Sequence, residues 1–176
     1  MLALRKIIVQ PVLFAFAASL LVSPIGAIAQ ANQCERPKKG VFAGSCGALK
    51  IRDVAASEHL GDKWTTCEIE SGSHGTAGYG VAVFYSDTAR AYWNEELGIY
   101  LETLEKQLGS RKFSSIAAAQ KRWESQKSMA IKRISKTYAN KQGTMYMVSY
   151  EGAVMDIYRK RALNLGCRLE QSSPSS

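Results

Sequence analysis

Few side chains in this chain are of a type, and in a setting, that could do chemistry. The histidines are two, His59 and His74. A general base must stand within hydrogen-bond reach of the group it serves. Neither histidine lies by a serine or cysteine in a recognisable catalytic setting. His74 falls in the stretch SGSHGTAGYG (71–80), whose composition reads as a flexible solvated loop. Glu95, Glu96 and Glu102 come nearest to paired carboxylates. A glycosidase acid needs a desolvated pocket to raise its pKa, and Glu95 and Glu102 fall on a helix rich in solvent-facing charge. No glycine loop of the phosphate-cradling kind is present, so the expected catalytic set is empty, with no cofactor. The cysteines are Cys34, Cys46, Cys67 and Cys167. No two sit at the short spacing usual for zinc ligands, so the expected metal set is also empty. An even count in an exported chain predicts two disulfides, with three pairings open.

Export itself is read from the first 31 residues. Arg5 and Lys6 precede the apolar run VLFAFAASLLV (12–22), and Ala27-Ile28-Ala29 and Ala29-Gln30-Ala31 offer cleavage sites. This is the layout of a secretory signal peptide. The apolar run is about half the ~20 residues a spanning helix needs, so no transmembrane segment is expected after cleavage. Ala31-Asn32-Gln33 before Cys34 does not fit lipid attachment. The expected location is periplasmic or secreted. Taking Arg5 and Lys6 from the 23 basic residues leaves 21 against 15 acidic ones, so the mature chain carries +6.

The elements that must hold these residues divide the mature chain. Residues 32–85 hold three of the four cysteines and most of the glycines, without sustained helical periodicity. This part reads as irregular and disulfide-containing, with short strands open at Trp64–Glu68 and Gly80–Tyr85 and a short helix equally open around Ile51–Leu60. Residues 86–170 read as a helical domain, and 171–176 as a frayed tail. Trp93, Leu97, Tyr100, Leu101, Leu104 and Leu108 share one face of a helix over 87–108, with Ser86 or Asp87 to cap it and Gly109 to end it. A second helix spans about 115–139, with Ile116, Ala119, Trp123, Ala130, Ile134 and Tyr138 in one arc. The third follows Asn140–Thr144, with Thr144 as cap and Gly166 as terminator. The fold class is mainly α, an antiparallel three-helix C-terminal bundle.

Charge is unevenly shared between these helices. The first carries Asp87, Glu95, Glu96, Glu102 and Glu105, whereas residues 111–141 hold nine bases against Glu124 alone. Lys121, Lys132 and Lys136, with Arg122 and Arg133, lie opposite the apolar arc. Such a stripe keeps a protein soluble and could also hold an anionic envelope polymer. Export sets nucleic acid aside. Lys127 points near the apolar arc, where it snorkels or pairs with a glutamate of the first helix.

In this order and spacing, three pieces resemble the LprI-type lysozyme inhibitor domain of exported bacterial proteins. Trp93-Asn-Glu-Glu-Leu97 is similar to its opening helix, Ala119-Gln120-Lys-Arg-Trp123 to its Ala-Gln-x-x-Trp motif, and Gly143-Thr144-Met145 with Arg161 to its closing turn and helix. The resemblance implies a non-catalytic protein that blocks a lysozyme or other cell-wall muramidase by occupying its cleft. Animal lysozymes are typically basic and would be repelled by a +6 chain at long range. An acidic patch of Glu95, Glu96 and Glu102 could compensate, or the target is a different enzyme. Two family cysteines would align near Ala130 and Val154, which leaves Cys167 to pair elsewhere. The expectation is Cys67–Cys167 with a local Cys34–Cys46. Trp93, Trp123 and Val154 are expected to meet in one water-free seam.

Overall fold

The computed structural model describes residues 34–74 and 79–173, so the expected leader of residues 1–31 lies outside them. The described residues form helices α1 (Ser45–Lys50), α2 (Leu60–His74), α3 (Tyr79–Tyr138) and α4 (Thr144–Ser172), with no strand among them. Helix α3 is broken at Gly109, where φ is 71° and ψ 158°, a conformation open to glycine and costly for other residues. Contacts with α4 show what the break does. Along the first arm of α3, Arg90 meets Glu151 and Gln107 meets Ser172, so this arm runs parallel to α4. Along the second arm, Gln120 meets Arg161, Trp123 meets Tyr158 and Tyr138 meets Tyr150, so this arm runs antiparallel. The chain reverses at Gly109, and the two arms with α4 make an antiparallel three-helix bundle.

The first arm buries Ala89, Tyr92, Trp93, Leu97, Tyr100 and Leu104, spaced by three or four residues, against Met155, Ala162, Leu163, Leu165 and Leu169 of α4 and Trp64 of α2. Each such large apolar side chain contributes about 1.5–3 kcal/mol. The second arm gives this core only Ile116 as a fully buried member, with Phe113 and Trp123 at its margin. The single Trp93–Trp123–Val154 seam is therefore not formed. Trp93 faces α2, donating its Nε1–H to Thr65 at 3.1 Å and lying 5.5 Å from the His59 ring. Trp123 is half-buried at the margin of the core, and Val154 is buried outside the core cluster.

Several local expectations give way to helix. Residues 64–68 lie in α2 and residues 80–85 in α3, not in strands. The β-formers there have weak and context-dependent preferences, which do not fix a strand. In α2, Gly61 and Thr65 sit one turn apart on a face that abuts the first arm. A Cβ on Gly61 would stand 2.8 Å from Trp93 and Tyr92. Ser86 and Asp87 lie inside α3, which starts at Tyr79, and Thr144 is the first residue of α4, whose cap is Gly143 without a side-chain bond. Residues 51–59 are irregular, held by Asp53 accepting the Ala55 N–H and Ser57 accepting the His59 N–H. Gly166 does not end α4, which runs on to Ser172. Its missing side chain lets α1 approach: a Cβ there would lie 3.0 Å from Ser45 Cβ and 3.2 Å from Tyr100.

Helix α1 is fastened to α4 twice over. The Glu170 carboxylate accepts the Ser45 and Cys46 backbone N–H groups at 2.7 and 3.0 Å, supplying acceptors that the helix start lacks. The disulfides are Cys46–Cys167 and Cys34–Cys67, which corrects the expected pairing. α1 docks on the C-terminal end of α4, so Cys46 and not Cys67 meets Cys167. That bridge spans 121 residues, for which chain entropy gives about 5 kcal/mol of stabilisation. Ahead of α1, residues 34–44 form a strap across the first arm. Gly40 N–H donates to both oxygens of Glu96 at 2.9 and 3.2 Å, Lys39 and Arg36 pair with Glu95, and Arg36 lies over Trp64 and Tyr92.

One buried ion pair ties α2 to α4. Arg159 Nε and Nη2 donate to Asp62 Oδ1 and Oδ2 at 2.6 and 2.9 Å, and both side chains are closed to solvent. Without Asp62, Arg159 keeps only the 3.4 Å contact of its Nη1 with Asp156, and its Nε and Nη2 are left unpaired. Asp62→Ala is therefore expected to cost about 3–5 kcal/mol in urea unfolding, and Asp62→Leu with Arg159→Met to recover most of it. Equal losses in the single and double variants would refute the pairing argument. Glu96 yields a second expectation. Burial raises its pKa above 4.5, and the Gly40 N–H only partly opposes this. The folded state then holds the proton more tightly than the unfolded one. Glu96 thus favours folding below the unfolded pKa, and that contribution is lost as pH rises through the folded value. Glu96→Gln keeps an acceptor for Gly40 without a charge. Its stability should match or exceed the parent's at neutral pH, with the gap closing toward pH ~4, while Glu96→Ala should lose about 1–3 kcal/mol. Thermal melts across that range check it; a Gln variant weakened at neutral pH and restored in acid would reverse the sign.

Candidate partner-binding surface

The groups singled out for chemistry are held by structural bonds. His59 is buried, its Nε2 2.8 Å from the Val41 carbonyl and its Nδ1 accepting the Gly61 N–H at 3.0 Å. Those partners set the tautomer with the proton on Nε2. Burial lowers its pKa, with Asp62 pulling weakly the other way, so it is a neutral strut between the strap and α2. His74 is the last residue of α2 and not a loop residue, and its side chain lies outside the described residues.

The three glutamates of the expected acidic patch part company. Glu96 is fully buried under the strap. Glu95 is exposed but neutralised by Lys39 and Arg36, whose bonds lower its pKa. Glu102 is exposed and pairs with Lys106 at 2.5 Å on the same helix. Cys46, Cys167 and Glu170 stand close enough together to suggest metal ligands. Their donors are spent, however, because the two sulfurs are joined to each other and the carboxylate accepts two amides.

The outward faces are different. Between the second arm of α3 and α4 the motif residues come together in one knot. Gln120 accepts the Arg161 Nε–H at 2.9 Å and donates to Glu124 at 2.9 Å. Trp123 stands edge-on to Tyr158, with ring centroids 6.1 Å apart. Arg161 lies over Trp123 at 5.8 Å, and its buried Nη2 has no hydrogen-bond acceptor among the described residues. Lys127 lies over Trp123 and Tyr158 at 4.9 and 5.2 Å and pairs with Glu124 of its own helix at 2.5 Å, not with a first-arm glutamate. Such a stack is worth about 0.5–2 kcal/mol per cation. Ala119 is half-buried on the same arm; Gly143, Thr144 and Met145 form the turn into α4. Trp93 and Leu97, by contrast, serve the core on the first arm.

Lys121, Lys132 and Lys136 are exposed on the second arm and form no ion pair among the described residues. On the first arm Glu96 is buried, Asp87, Glu95 and Glu102 are paired, and Glu105 is exposed without an ion pair among the described residues, so positive charge dominates the open faces of the two arms. On the other side, a cavity of about 480 Å³ lies beside the strap, lined by Val41, Leu60, Trp64 and the Cys34–Cys67 bridge, with Arg36, Lys38 and Lys63 against Glu35. Asp62, Arg159 and Glu170 were not foreseen from sequence. Nothing local marks them, since an isolated Asp, Arg or Glu on a helix reads as solvated until its partner is known.

No curated protein and no solved structure matches the chain. A family model described as "Lysozyme inhibitor LprI" matches residues 80–165. That span covers both arms of α3, the turn and α4 as far as Leu165, and includes the whole Gln120–Trp123–Arg161 knot. Residues 80–165 of this chain are thus similar to an LprI-type domain.

Proposed function

We propose that this chain is an exported, non-catalytic binding protein that inhibits a cell-wall muramidase. The observation that carries the reading is the coincidence of the LprI match with the three-helix bundle and its motif knot. The burial and bonding of His59, Glu96 and Asp62 support a non-catalytic role, because a working acid or base must reach its substrate. Two disulfides fit an oxidising compartment, and the leader-like first 31 residues fit delivery there. On this reading residues 32–176 are the working protein.

The electrostatics narrow the target. With Glu96 enclosed and Glu95 neutralised, the first arm offers a basic lysozyme little compensating negative charge. The exposed Lys121, Lys132 and Lys136 instead favour a muramidase whose surface around the cleft is acidic. A turbidity assay on a cell-wall suspension, run with acidic and basic muramidases, tests this. Inhibition of an acidic enzyme is expected at micromolar protein, weakening as salt is added. Lys121→Glu, Lys132→Glu and Lys136→Glu together should raise the inhibitor concentration required by roughly tenfold or more. Failure to slow any of the muramidases at micromolar protein sinks the proposal.

A further inference from the structure

The turn between α3 and α4 carries an apolar cluster that the bundle does not use. Among the described residues the exposed large hydrophobics are Leu60, Met129, Met145, Tyr146 and Met147. Three are consecutive, at the first turn of α4, with Met145 77 % exposed, Tyr146 41 % and Met147 56 %. Three successive residues span more than half of a helix's circumference, so this turn stands clear of α3 on most sides.

A lysine packs directly on it. Lys141 lies between Tyr138 and Tyr146, at 5.4 and 5.1 Å from their rings, and Tyr138 stacks edge-on against Tyr150 at 6.2 Å. Residues 125–150 contain Lys127, Lys132, Arg133, Lys136 and Lys141 and no acid. Two methionines and a tyrosine at a helix tip, with Lys141 packed on the tyrosine and an acid-free, lysine-bearing stretch of helix leading up to it, match the needs of an anionic lipid–water interface. The apolar groups enter the headgroup–acyl boundary while the amines meet lipid phosphates. A soluble polyanion would attract the lysines and gain nothing from the methionines.

We propose that the α3–α4 tip is a membrane-docking surface, in which Met145, Tyr146 and Met147 insert shallowly into an anionic bilayer and Lys136 and Lys141 hold lipid phosphates. The contact is peripheral, since no described helix is long and apolar enough to cross a membrane. It lies beyond the muramidase reading and does not depend on it.

The mature chain supplies its own probe. Met129, on the second arm and 52 % exposed, is nearly as open as Met147 and serves as the internal control. The chain is treated with dilute hydrogen peroxide, and each methionine's sulfoxide formation is followed by peptide mass mapping. This is done free, with phosphatidylcholine vesicles, and with vesicles that also contain phosphatidylglycerol. On the anionic vesicles, oxidation of Met145 and Met147 should slow roughly tenfold relative to Met129, the order expected when a methionine leaves water. Neutral vesicles should leave all three unchanged. Met145→Ser with Met147→Ser should lower co-sedimentation with the anionic vesicles by a similar factor. Unchanged rates, equal slowing of all three methionines, or equal protection by neutral vesicles would each overturn the proposal. So would protection of the pair by dextran sulfate in solution, which would make the tip a polyanion site.

Discussion

A carboxylate removed from water needs a cation beside it, and the architecture is arranged around one such pair. Asp62 comes from α2 and Arg159 from α4, 97 residues apart in sequence, and they meet through two hydrogen bonds with no solvent access. Breaking such a contact leaves a buried unpaired charge, which is far worse than never having buried either group. The pair therefore acts as a constraint on geometry. α2 must lie across the bundle with Asp62 at the level of Arg159, and that position carries Gly61 against Trp93 and Tyr92 and brings Thr65 to the Trp93 indole.

The rest of the N-terminal part follows the same pattern, in which a charged group on the bundle is answered by backbone from the strap or α1. Glu96 accepts Gly40 N–H, and Glu170 accepts the first two N–H groups of α1. His59 is held between the Val41 carbonyl and the Gly61 N–H. Polar groups that sequence alone would place on the surface are thereby satisfied inside, where an unmet donor or acceptor would be costly. The two disulfides lock this docking in place, Cys34–Cys67 closing the strap onto α2 and Cys46–Cys167 tying α1 to α4.

This inward use of acids shapes the exterior. On the first arm Glu96 is buried, Asp87, Glu95 and Glu102 are paired and only Glu105 stays open, while Lys121, Lys132 and Lys136 stay open on the second arm. The core is polarised in the same direction, dense where α2, the first arm and α4 meet and thin along the second arm. That arm is held by the Gln120–Trp123–Arg161 knot and the tyrosine pair near the turn, and it leaves the apolar tip of α4 uncovered.

What could be read from the sequence was what periodicity and backbone chemistry dictate locally. The apolar faces of the three bundle helices, the break at Gly109, the turn around Gly143 and the antiparallel bundle are all of that kind, because a residue's place on a helix face depends only on its neighbours within a turn or two. The Gln120–Trp123–Arg161 motif was legible too, though not the bonds that unite it. Tertiary structure alone decided the rest. It drew residues 64–68 into α2, paired Cys46 with Cys167, turned Gly166 from a helix end into a contact point, enclosed Glu96 and joined Asp62 to Arg159. Each of these depends on which distant segment arrives at a given face, and the free energy of that arrival belongs to the pair of surfaces and to neither stretch of sequence on its own.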